Sequence, residues 1–262
     1  MSPILILGAG YTGLRVAALL QKKGHDLITI RSKDINFTLP QSIQQLAHVA
    51  PHDCLVLHSI PSLPDNADAA LLEALQNKAK RIVYFSTTGV YGAAEHVDET
   101  TPIAPRNPRE QARAATEAAI ERGPWQSLIL RPAAIYGPDR GVHVAMAQGK
   151  YTLIGEGNNF ISRIHVDDLA AIATAGILSD LTGAYPVADQ HPCTSREIAD
   201  YCATTFGLPP AIGVTEAGVP ISRRNNRQVD GRAICTRLGI TLKFPSYKDA
   251  LKPESSMLGP SY

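Results

Sequence analysis

Three glycines near the start of the chain are spaced as G-x-G-x-x-G, at Gly8, Gly10 and Gly13. In a strand–turn–helix unit, the first glycine permits a tight turn and the second lets a pyrophosphate approach the backbone. The third lets the helix pack closely on the strand. The apolar run "ILIL" precedes these glycines and the helical pattern "LRVAALL" follows them. We therefore predict a dinucleotide site formed by Gly8, Gly10, Tyr11, Thr12 and Gly13, with a purely structural turn as the alternative.

A basic residue follows the second predicted strand, where an acidic residue is usual in sites that hold a ribose 2′-hydroxyl. The segment reads "LITIRSKD", which places Arg31 and Ser32 at the strand end. A guanidinium pairs well with a 2′-phosphate, and Lys33 would assist. The cofactor expected from this pattern is NADP, with NAD less favoured. Asp34 supports the opposite preference if the strand ends a few residues later.

Overall charge and composition exclude several classes of function. Lys and Arg total 25 against 24 Asp and Glu, so nothing electrostatic indicates nucleic acid or an anionic membrane as a partner. No apolar run is long enough for a membrane span, and "MSPILILGAG" is typical of a buried strand rather than of a signal peptide. The four cysteines lack metal-type spacing. We expect a cytoplasmic protein, monomeric or homodimeric, that acts on a small molecule.

The elements that must position these residues alternate between strands and helices, which predicts an α/β fold. Alternation of this kind produces a doubly wound, Rossmann-type parallel sheet with ligands at the carboxyl ends of its strands. The predicted strands are "PILIL", "DLITI", "CLVLH", "RIVYFS", "SLILR" and "GAYPVAD". The predicted helices among them are "LRVAALLQKKG", "ADAALLEALQNKA" and "REQARAATEAAIE".

Beyond Arg131 the pattern changes to loops, short strands and two further helices. Asp167 or Asp168 is the expected N-cap of "LAAIATAGILSD", and Thr194 or Ser195 that of the helix ending at Gly207. Proline and glycine are frequent over residues 209–220, which predicts a surface loop there.

Four motifs in order resemble an extended short-chain dehydrogenase/reductase of the epimerase/dehydratase type. They are the glycine loop, "FSTTGVYG", "LRPAAIYGPDR" and "RIHVDDLAAI", and the resemblance runs from Pro3 to about Leu251. It implies a core of about seven parallel strands and a small C-terminal substrate lobe. The implied division gives residues 1–136 and about 161–188 to the NAD(P)-binding core. Residues from about 137–160 and 189–262 then form the lobe.

The resemblance also assigns roles to single residues of this chain. Thr87 falls where the family has a serine or threonine that hydrogen-bonds the reacting oxygen. The loop from Pro132 to Ile135 would run beside the nicotinamide. Ser59 and Ile60 fall where the family contacts the ribose and phosphates of the cofactor.

One departure from the family pattern concerns its catalytic Tyr and Lys, which lie four residues apart. Matching "NPREQAR" to that motif puts Arg109 on the tyrosine and Arg113 on the lysine. An arginine keeps its proton at physiological pH and cannot act as a base. We predict that Arg113 holds the cofactor ribose and that the pair favours an anionic ligand, with a solvated scaffold helix as the alternative.

Another residue must then transfer protons if the chain is an enzyme. His58 ends a predicted strand beside the cofactor edge and is the best candidate by type, with a structural histidine as the alternative. The segment "HVDD" at 165–168 is explained by helix capping, so we predict no metal site.

Two functions compete at this point. The first is an NADP-dependent oxidoreductase, epimerase or dehydratase that acts on a small substrate, anionic or nucleotide-sugar-like, with a non-standard acid/base. The second is a dinucleotide-binding regulator or redox sensor without turnover. Retention of Thr87 and of a substrate-sized lobe favours the enzyme.

Overall fold

A computed structural model describes residues 2–61, 63, 67–218 and 224–253. In chain order its strands are β1 (Ile4–Leu7), β2 (Leu27–Ile30), β3 (Cys54–His58), β4 (Ala79–Phe85), β5 (His96–Val97), β6 (Gln126–Pro132), β7 (Ala134–Tyr136), β8 (Thr152–Ile154), β9 (Phe160–Ile161), β10 (Arg163–His165), β11 (Gly183–Val187), β12 (Cys193–Thr194), β13 (Ile212–Val214) and β14 (Gln228–Val229). The α-helices are α1 (Gly13–Lys22), α2 (Pro40–Val49), α3 (Ala67–Leu75), α4 (Pro108–Glu121), α5 (Val142–Ala147), α6 (Val166–Ile177), α7 (Ser195–Phe206), α8 (Arg232–Leu238) and α9 (Tyr247–Ala250).

Six parallel strands form the central sheet, in the order β11-β6-β4-β3-β1-β2. The predicted Rossmann-type α/β fold is confirmed, and each of its six strands coincides with a predicted one. The expectation of about seven strands was wrong for the described residues. After β2 the chain makes a short connection and enters α2, so β2 forms the edge of the sheet.

Continuous apolar runs produce the sheet because both of its faces are covered by helices. All four residues of β1 are buried. On one face the core includes side chains of α1 and α6, such as Leu20 and Leu169. On the other it includes side chains of α2 and α3, such as Leu46 and Leu71. Helix α2, "PQSIQQLAHV", was absent from the sequence predictions.

Helix caps agree with the sequence in one case and correct it in another. Thr194 caps α7, and Gly207 ends that helix in the left-handed conformation, as expected. The N-cap of α6 is His165, whose ring accepts a hydrogen bond from the Asp167 amide, and neither aspartate is the cap. Asp168 accepts hydrogen bonds from the amides of residues 243 and 244 instead, so it joins α6 to the C-terminal segment.

Short two-stranded sheets surround the carboxyl edge of the central sheet. They pair β7 with β10, β8 with β13, β9 with β12, and β5 with β14. The predicted loop over residues 209–220 was wrong in part, because Ile212–Val214 pairs with β8. A separate apolar cluster joins α5 and α7. The division into core and lobe stays a prediction, and residues 219–223 and 254–262 of the lobe lie outside the described residues. No helix among the described residues is long and apolar enough to cross a membrane.

Candidate functional site

A cleft of about 930 Å³ lies at the carboxyl ends of the central strands. It brings together five residues singled out from the sequence. These are Thr87, Arg109, Arg113, Pro132 and Ile135. The glycine loop, Arg31, Ser59, Ile60 and His58 are not part of its lining. Residues that the sequence reasoning did not single out for the site also line it, among them Ser86, Glu110, Arg140, Phe160 and Ser162. Arg227, from the basic run at 222–227, lines it too.

The glycine loop has the geometry that its three glycines predict. Gly8 has a φ of +83°, and a Cβ atom there would lie 3.0 Å from atoms of Ser59 and Ile60. A Cβ atom at Gly13 would lie 2.7 Å from the Gly8 carbonyl oxygen, so helix and turn touch there. A Cβ atom at Gly10 would have a single neighbour within 4 Å, at 3.9 Å. Of the three glycines, Gly10 therefore faces open space, as a site for a pyrophosphate requires.

Backbone N–H groups without a partner among the described residues follow Gly10 in the chain. The amides of Tyr11, Thr12 and Gly13 donate no hydrogen bond to any residue that the structure describes. The first hydrogen bonds of the helix come from Leu14 and Arg15. A helix N-terminus with unused N–H groups attracts anions, which is the chemistry that a phosphate site needs.

The two residues after β3 that are predicted to bind the cofactor make contacts with the glycine loop and the end of β3. The Ser59 hydroxyl donates to the Gly8 carbonyl oxygen at 2.6 Å. The Ile60 amide donates to Nδ1 of His58 at 3.4 Å, and the Ile60 side chain is buried. The contacts of Ser59 and Ile60 within the protein therefore fix the loop, and their contact with a cofactor stays a prediction.

Tyr11 ties the glycine loop to the motif "IYGPDR". Its hydroxyl donates to the Pro138 carbonyl oxygen at 2.6 Å. The guanidinium carbons of Arg15 and Arg140 lie 4.4 and 5.6 Å from the centre of the Tyr11 ring. Burial raises the pKa of the Tyr11 phenol, so it stays protonated as a donor. This tether fixes the cofactor loop relative to the wall of the cleft that carries Arg140.

The turn after β2 distinguishes between Arg31 and Asp34. Strand β2 ends at Ile30, so Arg31 is the first residue beyond it. The Asp34 carboxylate accepts a hydrogen bond from the Arg31 amide at 2.9 Å, which engages that carboxylate within the turn. The Arg31 side chain is exposed and makes no hydrogen bond or ion pair to a described residue. The residue at the strand end is thus basic, and the acidic one stabilises the turn.

Thr87 is placed to donate a hydrogen bond into the cleft. It caps the short 3-10 helix Thr88–Tyr91, and its Oγ1 accepts from the Gly89 amide at 3.2 Å. The hydroxyl proton has no acceptor among the described residues. The hydroxyl of the adjacent Ser86 is buried and has no partner there either. Two hydroxyl donors in succession therefore lie at the end of β4.

Arg113 is held by the sheet. Its Nη1 donates to the Tyr84 hydroxyl at 2.6 Å, to the Phe85 carbonyl oxygen at 3.1 Å and to the Ile60 carbonyl oxygen at 3.4 Å. Tyr84 and Phe85 belong to β4, and Ile60 follows β3. Arg113 thus links two strand ends, and its remaining N–H groups are available on the side that lines the cleft.

Arg109 lines the same cleft one helical turn away and is exposed. Its guanidinium makes no hydrogen bond or ion pair to any described residue. The neighbouring Glu110 accepts a hydrogen bond from the Arg106 amide at 2.7 Å, and its own amide donates to the cap residue Asn107. The only carboxylate among the described residues that line the cleft therefore stabilises the helix start, while the Arg109 charge stays uncompensated.

His58 lies in a closed environment below the cleft. Its side chain is completely buried, and its ring centre is 4.9 Å from that of Tyr84. Burial, with the positive charge of Arg113, lowers the pKa of His58 to about 3. Its Nε2 lies 3.9 Å from a carboxylate oxygen of Asp68. A fully buried, neutral ring does not favour proton exchange with a ligand, and a catalytic role for His58 stays a prediction.

Two further arginines, at or near the cleft, are buried and hold neighbouring segments together. Arg131 forms a buried ion pair with Glu117 of α4, at 2.7 Å, and also donates to the Tyr91 hydroxyl. Arg227 is 5% exposed and donates to the carbonyl oxygens of Thr88, Ala94 and Gly92 around the "VYG" turn. No local signal identifies Arg227, because its acceptors lie more than 130 residues away in sequence.

A family comparison agrees with this arrangement. Residues 66–182 match the model of the NAD dependent epimerase/dehydratase family. That segment of the chain is similar to the family. The matched segment contains Thr87, Arg109, Arg113, Pro132 and Ile135, and the glycine loop precedes it. The matched segment thus includes every sequence-predicted residue that lines the cleft.

Curated proteins of similar sequence match part of the chain. A 3-diazoavenalumate denitrifying reductase from Streptomyces sp is 31% identical over 106 residues, which cover 38% of this chain and 35% of that protein. Protein YeeZ from Escherichia coli (strain K12) is 28% identical over 199 residues, covering 74% of this chain and 67% of that protein. The chain therefore spans about a third of the length of the first relative and two thirds of the second.

Solved structures share the whole fold of the domain. A functionally unknown conserved protein from Silicibacter pomeroyi DSS has a TM-score of 0.76 at 27% identity, over 95% of this chain and 96% of that one. The UDP-glucose 4-epimerase of Thermus thermophilus, in complex with NAD, has a TM-score of 0.77 at 19% identity, over 97% and 99%. Similarity at 19% identity establishes the fold alone.

Proposed function

We propose that this chain is an NADP(H)-dependent reductase of a small substrate with anionic or strongly polarised character. The observation that carries the proposal is the exposed, unpaired guanidinium of Arg109 in the same cleft as the free hydroxyl proton of Thr87. Both groups are hydrogen-bond donors, and neither is a base at neutral pH. The cleft therefore offers stabilisation of negative charge.

The residues present fit a dinucleotide. Open space beside Gly10 and the free amides of Tyr11, Thr12 and Gly13 would hold the pyrophosphate. Arg31 would pair with a 2′-phosphate, and this supports NADP over NAD. Arg113 reaches the cleft from the strand ends and would hold the ribose. The bound cofactor would supply a hydride.

The donor set favours reduction over oxidation. Oxidation of a hydroxyl needs a group that accepts its proton, whereas reduction of a carbonyl-like acceptor needs stabilisation of a developing oxyanion. Thr87 and Arg109 can donate hydrogen bonds to such an oxygen, and water in the open cleft can then supply the proton. An epimerase needs both directions. The name of the Streptomyces relative, a reductase, supports the same direction.

A dinucleotide-binding regulator is the second candidate, and the unpaired Arg109 favours it as well. The ionisable residues in the described lining of the cleft are four arginines and Glu110, and Glu110 is engaged at the helix start. Such a site would bind cofactor and an anion and would release no product. Steady NADPH oxidation by any carbonyl substrate would exclude this role.

Cofactor titration tests the proposal first. Intrinsic and NADPH fluorescence should give tighter binding for NADPH than for NADH, and Arg31→Asp should reverse or abolish that preference. We expect about a tenfold to hundredfold change, corresponding to a charge-assisted hydrogen bond of about 1.5–3 kcal/mol. Lys23→Asp, the same change of charge at an exposed residue just beyond the far end of α1, is the matched control. Equal affinity for both cofactors would contradict the NADP assignment.

A further inference from the structure

A second cavity opens beside the cleft, with a volume of about 270 Å³. Ala134, Ile135 and Ile161 line both spaces, so the two adjoin at that point. The remaining lining is largely apolar and comes from β7, β10, α5, α7, the segments on either side of α5 and the residue after α9. These residues are Tyr136, Gly141, Val142, His143, Ala145, Lys150, Tyr151, Arg163, Ile198 and Leu251. We call this cavity the apolar pocket.

Two polar atoms belonging to residues that line the apolar pocket are buried without a partner. They are the hydroxyl oxygen of Tyr136 and Nδ1 of His143, and neither forms a hydrogen bond within the described residues. Tyr136 is only 3% exposed. A buried polar group without a partner is costly, so such groups in a concave site are commonly completed by a ligand. The pocket therefore combines an apolar wall with two available hydrogen-bonding groups.

The charge state of these two groups is set by burial. Burial raises the pKa of the Tyr136 phenol, with Asp189 and Asp168 acting in the same direction. Burial also lowers the pKa of His143, against the opposing effect of Asp139. Tyr136 is therefore a neutral donor and His143 a neutral ring at physiological pH. Both suit a neutral polar group such as a hydroxyl.

The two cationic residues of the lining do not convert it into an anion site. Nη1 of Arg163 donates to the Ile161 carbonyl oxygen at 2.6 Å and to the Cys193 sulfur at 3.0 Å. Arg163 is thereby built into the wall. Lys150 is exposed, and its charge is solvated at the rim. Free positive charge is found in the cleft, at Arg109, and not in the apolar pocket.

We infer that the substrate is a compact molecule whose ring enters the apolar pocket, with a polar substituent meeting Tyr136 and His143 and the reacting group in the cleft. The inference rests on the proposed function and narrows it. A cavity of about 150 Å³ accepts benzene, so 270 Å³ suits a substituted ring. A nucleotide sugar is disfavoured, because its diphosphate and hydroxyls would lose hydration against apolar side chains.

Binding of two ring probes and a nucleotide sugar tests the inference. Calorimetry on the full chain saturated with NADP⁺ would use 4-hydroxybenzaldehyde, benzaldehyde and UDP-glucose. We expect both aldehydes to bind and UDP-glucose to neither bind nor displace them. Tyr136→Phe should weaken 4-hydroxybenzaldehyde about 3- to 10-fold, the range of one hydrogen bond, and leave benzaldehyde unchanged.

Filling the apolar pocket gives a sharper test. Ala145→Leu enlarges a lining residue of α5, while Ala147→Leu makes the same change on an exposed position of that helix outside the lining. The first should weaken both aldehydes at least about tenfold, and the second should leave them unchanged. If circular dichroism shows that Ala145→Leu does not fold, Val142→Phe takes its place, because it narrows the pocket from another lining position.

The outcomes separate this inference from the proposed function. If the chain binds NADPH but also binds UDP-glucose, the ring-binding pocket is overturned and the reductase proposal stands. The same holds if the chain binds NADPH and Ala145→Leu and Ala147→Leu weaken the aldehydes equally. Absence of NADPH binding would overturn the reductase, and the aldehyde series on the cofactor-free chain would still report on the pocket. Aldehydes that fail to bind in either state would overturn the inference.

Discussion

Two regions around the cleft hold their arginines in opposite ways. On the sheet side, Arg131 is paired with Glu117, and Arg113 is fixed by Tyr84 and two carbonyl oxygens. On the open side, the side chains of Arg31 and Arg109 contact no hydrogen-bonding partner among the described residues. The same residue type is structural where it is buried and available to a ligand where it is exposed. Substitutions in the buried region should therefore change stability, and substitutions in the exposed region should change ligand binding.

Loss of the buried ion pair should have the largest effect on stability. Glu117→Ala leaves the Arg131 guanidinium, 8% exposed, without its carboxylate. Breaking such a pair from one side costs about 3–5 kcal/mol of unfolding free energy. Urea denaturation would measure it, and Glu117→Gln, which keeps the side-chain shape and part of the hydrogen bonding, should lose less. A Glu117→Ala protein as stable as the wild type would contradict the structural role of this ion pair.

On the open side, Gly10→Val should abolish cofactor binding without unfolding the protein. The added side chain would occupy the space for the pyrophosphate, and we expect a loss of at least about 100-fold in NADPH affinity, or ~2.7 kcal/mol. Gly13→Val is the contrasting change, since its side chain would collide with the Gly8 carbonyl and lower the melting temperature. Unchanged NADPH titration in a folded Gly10→Val protein would show that the phosphates bind elsewhere.

The two arginines of α4 give the most direct comparison. Arg113→Ala should cost about 1–3 kcal/mol of stability, because the buried Tyr84 hydroxyl loses its partner. Arg109→Ala should change stability by no more than about 0.5 kcal/mol. It should instead weaken binding of the anionic substrate, more strongly at low salt, where the exposed charge is less screened. Chemical denaturation and calorimetry at two ionic strengths would distinguish the effects of the two substitutions. If both substitutions change stability and binding equally, the distinction between the buried and the exposed region is lost.

His58 provides an effect on stability that is visible only in acid. Its folded pKa of about 3 lies below its ordinary value of 6.5, so the unfolded chain binds a proton that the folded chain refuses. Stability should therefore be fully present above pH 6.5 and fall as the pH drops from there towards 3. His58→Gln should flatten that part of the stability profile. A wild-type profile with no loss attributable to residue 58 would contradict the closed environment.

Local patterns were sufficient to predict the central sheet and the glycine loop. Runs such as "ILIL" and "CLVLH" are buried on both faces, which makes them unambiguous as parallel strands. The roles of Gly8, Gly10 and Gly13 follow from the missing Cβ atom alone. Helix α2 escaped prediction because polar glutamines interrupt its apolar positions. The cap of α6 was misassigned because Asp168 is used by a segment 75 residues away.

The sequence by itself determined that a strand–glycine–helix unit with Arg31 beyond the second strand lies at the start of an α/β fold. It also determined that residues 109 and 113 are arginines sharing one face of a helix. Only the tertiary structure decided that Arg113 is held by β4 while Arg109 is free, and that His58 is closed off from the cleft. Spacing along a helix sets the direction of a side chain, whereas its depth and partners depend on which distant elements pack there, and those contacts have no local signature.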